Sequence, residues 1–192
     1  MKRVIIVHGW EGFPEEGWFP WLKRELEQRG FHVDVPAMPV PDEPTIERWV
    51  PYLASVVGTP DEDTYLIGHS MGVRAIIHYL NTVPPDTKVG GVVSVAGAMI
   101  LRNLEPEEEP IFKPWFAVPL DYAAIRALAG TIVAVFSDDD PWVPLEQNKQ
   151  FWADQLGAEV VVLDNRGHFS GSDGVIELPE VRDAVLKMVG EE

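Results

Sequence analysis

The sequence predicts an α/β fold: a mostly parallel sheet of about six strands with helices on both faces, three layers in all. Three observations carry the prediction. Short β-branched runs alternate with stretches of helical period. A helical stretch separates most successive strands, as right-handed crossovers between parallel strands require. An apolar content of 46%, with 7 Trp and 8 Phe in 192 residues, is enough for one substantial core. A single domain over 1–192 is expected.

The elements follow in order. Val4-Ile5-Ile6-Val7 is the first strand and runs into His8-Gly9. Trp18, Trp21, Leu22 and Leu26 form an apolar stripe on a helix ending near Gly30, the usual residue for a left-handed cap. His32 to Val35 is a second strand, Thr45 to Val57 a helix, Thr64 to Ile67 a third strand and Met71 to Tyr79 a helix. Val92 to Val95 is the fourth strand, Thr131 to Phe136 the fifth and Glu159 to Leu163 the sixth, with helices over Leu145 to Leu156 and Pro179 to Val189. The stretch 96–129 breaks the rhythm. It carries Pro106, Pro110, Pro114, Pro119 and the acidic triplet Glu107 to Glu109, too much proline for one regular helix. It is expected to be a lid-like insertion at the carboxyl edge of the sheet, where α/β proteins bind ligands. The triplet itself reads as a solvated loop.

Charge and composition exclude whole classes of function. Fifteen Lys plus Arg against 31 Asp plus Glu give a formal charge of −16. Without a basic cluster, neither nucleic acid nor an anionic membrane is an expected partner. Cysteine is absent, which removes disulfides, thiolate metal sites and cysteine nucleophiles together. Met1-Lys2-Arg3 is followed by only Val4 to Val7 before His8, too short an apolar run for a signal peptide, so the cytoplasm is the expected compartment. Covalent chemistry must then use oxygen.

The strongest motif is Gly68-His69-Ser70-Met71-Gly72, between a strand and a helix. In G-x-S-x-G the serine sits at the tip of a sharp turn, and larger side chains at the flanking positions would strike the strand and the helix. Its hydroxyl is thereby exposed at the sheet's carboxyl edge. A serine nucleophile needs a base, and the base needs an acid, in the order Ser, acid, His for this kind of fold. Asp138-Asp139-Asp140 follow the fifth strand. Asp140 is preferred because it opens Asp-x-x-Val-Pro through Pro144; Asp139 is the alternative, and Asp138 and Asp139 also suit a plain acidic turn. His168, in Arg166-Gly167-His168-Phe169 after the sixth strand, is the candidate base. Backbone N–H groups of Trp10, after His8-Gly9, and of Met71 are the candidate oxyanion donors. His8 and His69 read as neighbours of the site, His32 and His78 as surface or core filler. No His-Glu-x-x-His, P-loop or G-x-G-x-x-G occurs, so neither metal nor cofactor is expected.

These residues resemble the α/β-hydrolase superfamily, and within it the family of small serine hydrolases that includes retinoblastoma-binding protein 9-like proteins and short bacterial relatives. The similarity runs through Val4 to Gly9, Gly68 to Gly72, Pro119-Leu120-Asp121-Tyr122, Ser137 to Pro144 and Gly167-His168-Phe169. The resemblance implies an α/β-hydrolase fold without a large cap domain, and a Ser70, Asp140, His168 triad. It implies a carboxylesterase-like activity through an acyl-enzyme. A Leu-x-Cys-x-Glu partner-binding segment cannot occur in a chain without cysteine, so no such partner is carried over. Trp115, Phe116 and Trp142 are expected to line the pocket for a small-molecule ester with an apolar acyl group. Thioesterase, peptidase or perhydrolase chemistry would use the same residues, and a binding module on a hydrolase fold is the alternative of another class.

Overall fold

The computed structural model describes residues 1–191. Six strands form one sheet in the order β2-β1-β3-β4-β5-β6, with every pairing parallel. They are β1 (Arg3–Val7), β2 (His32–Asp34), β3 (Thr64–His69), β4 (Gly91–Val95), β5 (Thr131–Ser137) and β6 (Glu159–Leu163). The helices are α1 (Phe19–Glu27), α2 (Ile46–Val57), α3 (Met71–Leu80), α4 (Glu109–Ala117), α5 (Tyr122–Leu128), α6 (Leu145–Leu156) and α7 (Pro179–Met188).

Side chains in a strand alternate between faces, and this alternation builds two cores. Val4 and Ile6 join Trp18, which caps α1, Phe19, Leu22 and Leu26 within it, and Val181 and Val185 of α7 on one face. Ile5 and Val7 join Trp49 and Leu53 of α2, Ile76 of α3 and Trp152 of α6 on the other. The strands carry apolar residues on both faces because helices cover both. β1 lies between β2 and β3, so the chain reverses its direction of sheet growth there. The carboxyl ends of β1 and β3 therefore flank a topological switch point, the crevice such sheets offer to ligands.

The segment 96–129 divides into three parts. Its start is pinned by Asn148 of α6, wholly buried, whose side chain accepts from Met99 and Ile100 N–H (2.7 and 3.0 Å) and donates to Ile100 and Pro144 carbonyls (2.9 and 2.8 Å). Its end, α5, buries Ile125 and Leu128 and packs on α6 and α3, so it belongs to the helical layer rather than to a lid. Only the middle, from Leu101 through α4, overhangs the carboxyl edge. Proline still shapes α4, which has one proline in its first turn and Pro114 in its interior.

Candidate active site

Ser70 sits between β3 and α3 with φ +52° and ψ −117°, a conformation in which a side chain is strained. Its neighbours impose that turn. A Cβ on Gly68 would lie 2.7 Å from the Val73 backbone, and one on Gly72 only 2.1 Å from the Val7 carbonyl oxygen. Glycine at both positions lets the strand, the helix and β1 converge beneath the serine. The His8-Gly9 turn lies against it from the other side, since a Cβ on Gly9 would stand 3.1 Å from Ser70 Cβ.

His168 Nε2 is 2.8 Å from Ser70 Oγ, and its Nδ1 is 2.8 Å from Asp140 Oδ2. Asp140 is buried, and its other oxygen accepts from the N–H groups of Trp142 (2.9 Å) and Val143 (3.0 Å). It is thus held in one orientation by its own turn. The neighbouring aspartates do other work. Asp139 Oδ1 accepts from Ser137 Oγ (2.6 Å) and Gly167 N–H (2.8 Å), and Asp138 Oδ1 from Asn165 N–H (2.8 Å). Both tie the loop of His168 to the end of β5. The hydrogen bond from Ser137 holds the Asp139 carboxyl below the usual carboxylate range, aided by the one from Gly167. Asp173 completes the tether, accepting from His168 and Ser170 N–H at 2.9 and 3.0 Å. These roles join residues distant in the chain and leave no local signal in the sequence.

Two further histidines beside the site, His8 and His69, are buried and disfavour the charged form. His8 Nε2 accepts from Met38 N–H (3.0 Å), so its proton lies on Nδ1, which donates to the Gly9 carbonyl (2.8 Å). Burial lowers its pKa. His69 Nε2 donates to the carbonyl oxygen of His168 (2.7 Å), and burial, with the nearby His168 charge, depresses its pKa to about 3. His69 therefore props the backbone of the candidate base.

A cavity of about 490 Å³ opens over Ser70 and His168. Trp10 lines it, with its ring edge-on to Phe112 at 5.6 Å, and Trp142 stands edge-on to His168 at 5.0 Å. Met71 opens α3, and the first N–H of a helix has no acceptor within the helix. Trp115 and Phe116, expected in the lining, are not in it. Trp115 is wholly buried, donates Nε1–H to the Pro44 carbonyl (3.0 Å) and packs against Trp49 and His78. The Phe116 ring lies over the guanidinium of Arg74, 4.4 Å from centroid to Cζ. The helical twist of α4 turns both away from Ser70. Leu101, Leu104, Glu108 and Phe112 line the cavity instead, together with Glu11 and Glu16. Of these only Phe112 lies in α4; Leu101 and Leu104 belong to the irregular chain before it and Glu108 is its N-cap, so no helical period in the sequence marks them as a set. Burial pushes the Glu16 carboxyl up, against hydrogen bonds from Gly171 and Phe13 that pull it down.

Such an arrangement can transfer a proton from Ser70 to His168 while Asp140 steadies the imidazolium. Among the described residues, no three His, Asp or Glu side chains gather as metal ligands would. A larger groove of about 920 Å³ lies at the opposite, amino edge of the sheet, with Asp61, Glu62, Asp63 and Asp86 in its lining and no nucleophile–base pair.

Comparison with known proteins places these features in context. A family profile described as serine hydrolase matches residues 4–187. The YdeN protein of Bacillus subtilis (strain 168) is 32% identical over 192 residues, covering 100% of this chain and 98% of the relative. The crystal structure of that ydeN gene product superposes with a TM-score of 0.91 over 100% of both chains. Serine hydrolase RBBP9 of Rattus norvegicus is 29% identical, covering 89% of each chain. Est1E from Butyrivibrio proteoclasticus, at 16% identity, shares the fold with a TM-score of 0.73 over 99% of this chain and 89% of its own.

Proposed function

The chain belongs to the serine hydrolase family, and we propose that it is a carboxylesterase-type enzyme cleaving small, uncharged esters through an acyl-enzyme on Ser70. The observation that carries the reading is the pair of 2.8 Å hydrogen bonds linking Ser70, His168 and Asp140 at the wall of a cavity that Trp10, Leu101, Leu104, Phe112 and Trp142 share with three glutamates.

Ser70 Oγ attacks the ester carbonyl carbon as its proton passes to His168 Nε2. Asp140 Oδ2 accepts from His168 Nδ1–H, fixes the tautomer and stabilises the imidazolium. The carbonyl electrons move to oxygen, where the N–H groups of Trp10 and Met71 receive the charge, at the positive end of α3. On collapse, the C–O bond to the alcohol breaks and His168 returns its proton to the departing oxygen. Water then repeats the sequence on the acyl-enzyme, with His168 as base, and releases the acid and free Ser70. Donors preorganised in this way are worth about 3–4 kcal/mol each in comparable sites.

A fluorophosphonate probe and p-nitrophenyl esters test the reading. The unaltered protein should be labelled and turn over acetate, Ser70→Ala should do neither, and Asp140→Asn should lose roughly 10⁴-fold in kcat. Absence of any labelling or turnover that depends on Ser70 would overturn it. Running p-nitrophenyl thioacetate and an anilide in parallel ranks ester against thioester and amide.

A further inference from the structure

A second, shallower and more open recess of about 270 Å³ adjoins the cavity, lined by Leu101, Leu104, Glu109, Phe112, Lys113 and Phe116. The two spaces share Leu101, Leu104 and Phe112, which form the partition between them. We propose that this recess is a subsite for the distal part of a linear apolar chain of the ester, entered across that partition from the cavity holding Ser70. The proposal rests on the esterase reading above and extends it to a substrate class.

The chemistry of the walls selects the ligand. The shared residues are two leucines and a phenylalanine, and a chain passing between them trades water for hydrocarbon along its length. The two charged residues, Glu109 and Lys113, are exposed and stand at the outer lip, Lys113 through its apolar stem. Leu101 and Leu104 are only partly buried, and neither leucine side chain carries a hydrogen bond that a change of rotamer would break. The partition is therefore soft.

The back of the recess is firm. Phe116 rests on Arg74, whose guanidinium donates to the Trp115 carbonyl oxygen and to Met99 Sδ (2.9 Å). His78 Nε2 donates to that same carbonyl at 2.9 Å. Trp115 O is among the last carbonyls of α4, which have no partner within the helix, so α3 supplies the donors that this helix end needs. A soft partition on the cavity side and a fixed far wall at Phe116 suit a chain that crosses from the cavity and lies along the recess.

The test compares kcat/KM for p-nitrophenyl acetate, butyrate, octanoate and decanoate, and for a matching series of alkyl acetates. It uses the unaltered protein, Lys113→Trp and Leu104→Ala. Each methylene moved out of water is worth about fourfold in binding. The decanoate-to-acetate ratio should fall about tenfold in Lys113→Trp, where an indole occupies the recess from its exposed lip. It should rise in Leu104→Ala, where the partition is thinned. The same pattern in the alkyl acetates assigns the chain to the alcohol side. Ratios unchanged in both variants and in both series, with turnover still abolished by Ser70→Ala, overturn the subsite and leave the esterase reading standing. Loss of all turnover that depends on Ser70 in the unaltered protein removes the esterase reading itself.

Discussion

His69 shows how one residue of the elbow motif does two jobs. Its backbone leads into Ser70, and its side chain holds the His168 carbonyl. That hydrogen bond needs a proton on Nε2 only, and burial keeps the ring neutral, with a pKa of about 3 against 6.5 in the unfolded chain. The folded protein therefore resists protonation that the unfolded chain accepts. Its contribution to stability is complete above pH 6.5 and is lost as pH falls from there towards about 3. At pH 5 the loss from His69 alone is about 2 kcal/mol, at roughly 1.4 kcal/mol per pH unit. Urea unfolding at pH 7.5 and pH 5 should show that difference in the unaltered protein, and His69→Gln, which retains an N–H donor, should lack it. Equal acid sensitivity in the two proteins would contradict this account. The motif made Ser70 legible in the sequence, and strand ends made Asp140 and His168 legible as candidates. The Asp-x-x-Val-Pro pattern favoured Asp140 and left Asp139 as the alternative, but the roles of its neighbours were not legible, because they depend on which loop N–H each meets: Asp139 meets Gly167 and Asp138 meets Asn165, 28 and 27 residues away.

Among the elements, α4 is the one whose reading the structure most revises. Proline content identified the stretch as irregular, but aromatic residues beside a site need not face it. Within α4, Trp115 and Phe116 point to α2 and α3 while Phe112 turns to the cavity, joined there by Leu104 and Glu108 from the chain leading into the helix. The phase of a short helix follows from what anchors it, and the anchor is Arg74, a buried cation with neutral partners and a buried Nε without any. Burying a charge in this way costs stability, so its use lies in fixing α4 rather than in strengthening the fold. Arg74→Met should accordingly leave the melting temperature within a few degrees of the unaltered protein or raise it. Amide exchange over residues 105–117 should accelerate at least tenfold, and KM for decanoate should rise more than KM for acetate. A lower melting temperature with unchanged local exchange would make Arg74 a purely structural residue.

At the scale of the molecule, the all-parallel sheet places every candidate group at one edge, and this much was legible because both-face apolar strands alternate with helices. The charge of −16 was also legible, but its distribution was not. The structure concentrates part of it where a substrate enters: Glu11, Glu16 and Glu108 line the cavity, and no Lys or Arg does. An acidic opening in an acidic protein repels anions on approach, over a distance set by salt. A hemisuccinate ester should therefore be a poorer substrate than the butyrate of the same alcohol, by about tenfold in kcat/KM at low ionic strength. Near 1 M salt the Debye length shrinks to about 3 Å and the two rates should converge, because only the long-range part is screened. Glu11→Gln with Glu108→Gln should shrink the low-salt gap without changing the neutral ester's salt response. A gap that ignores both salt and these substitutions would mean that the shape of the cavity, and not its field, excludes the anion.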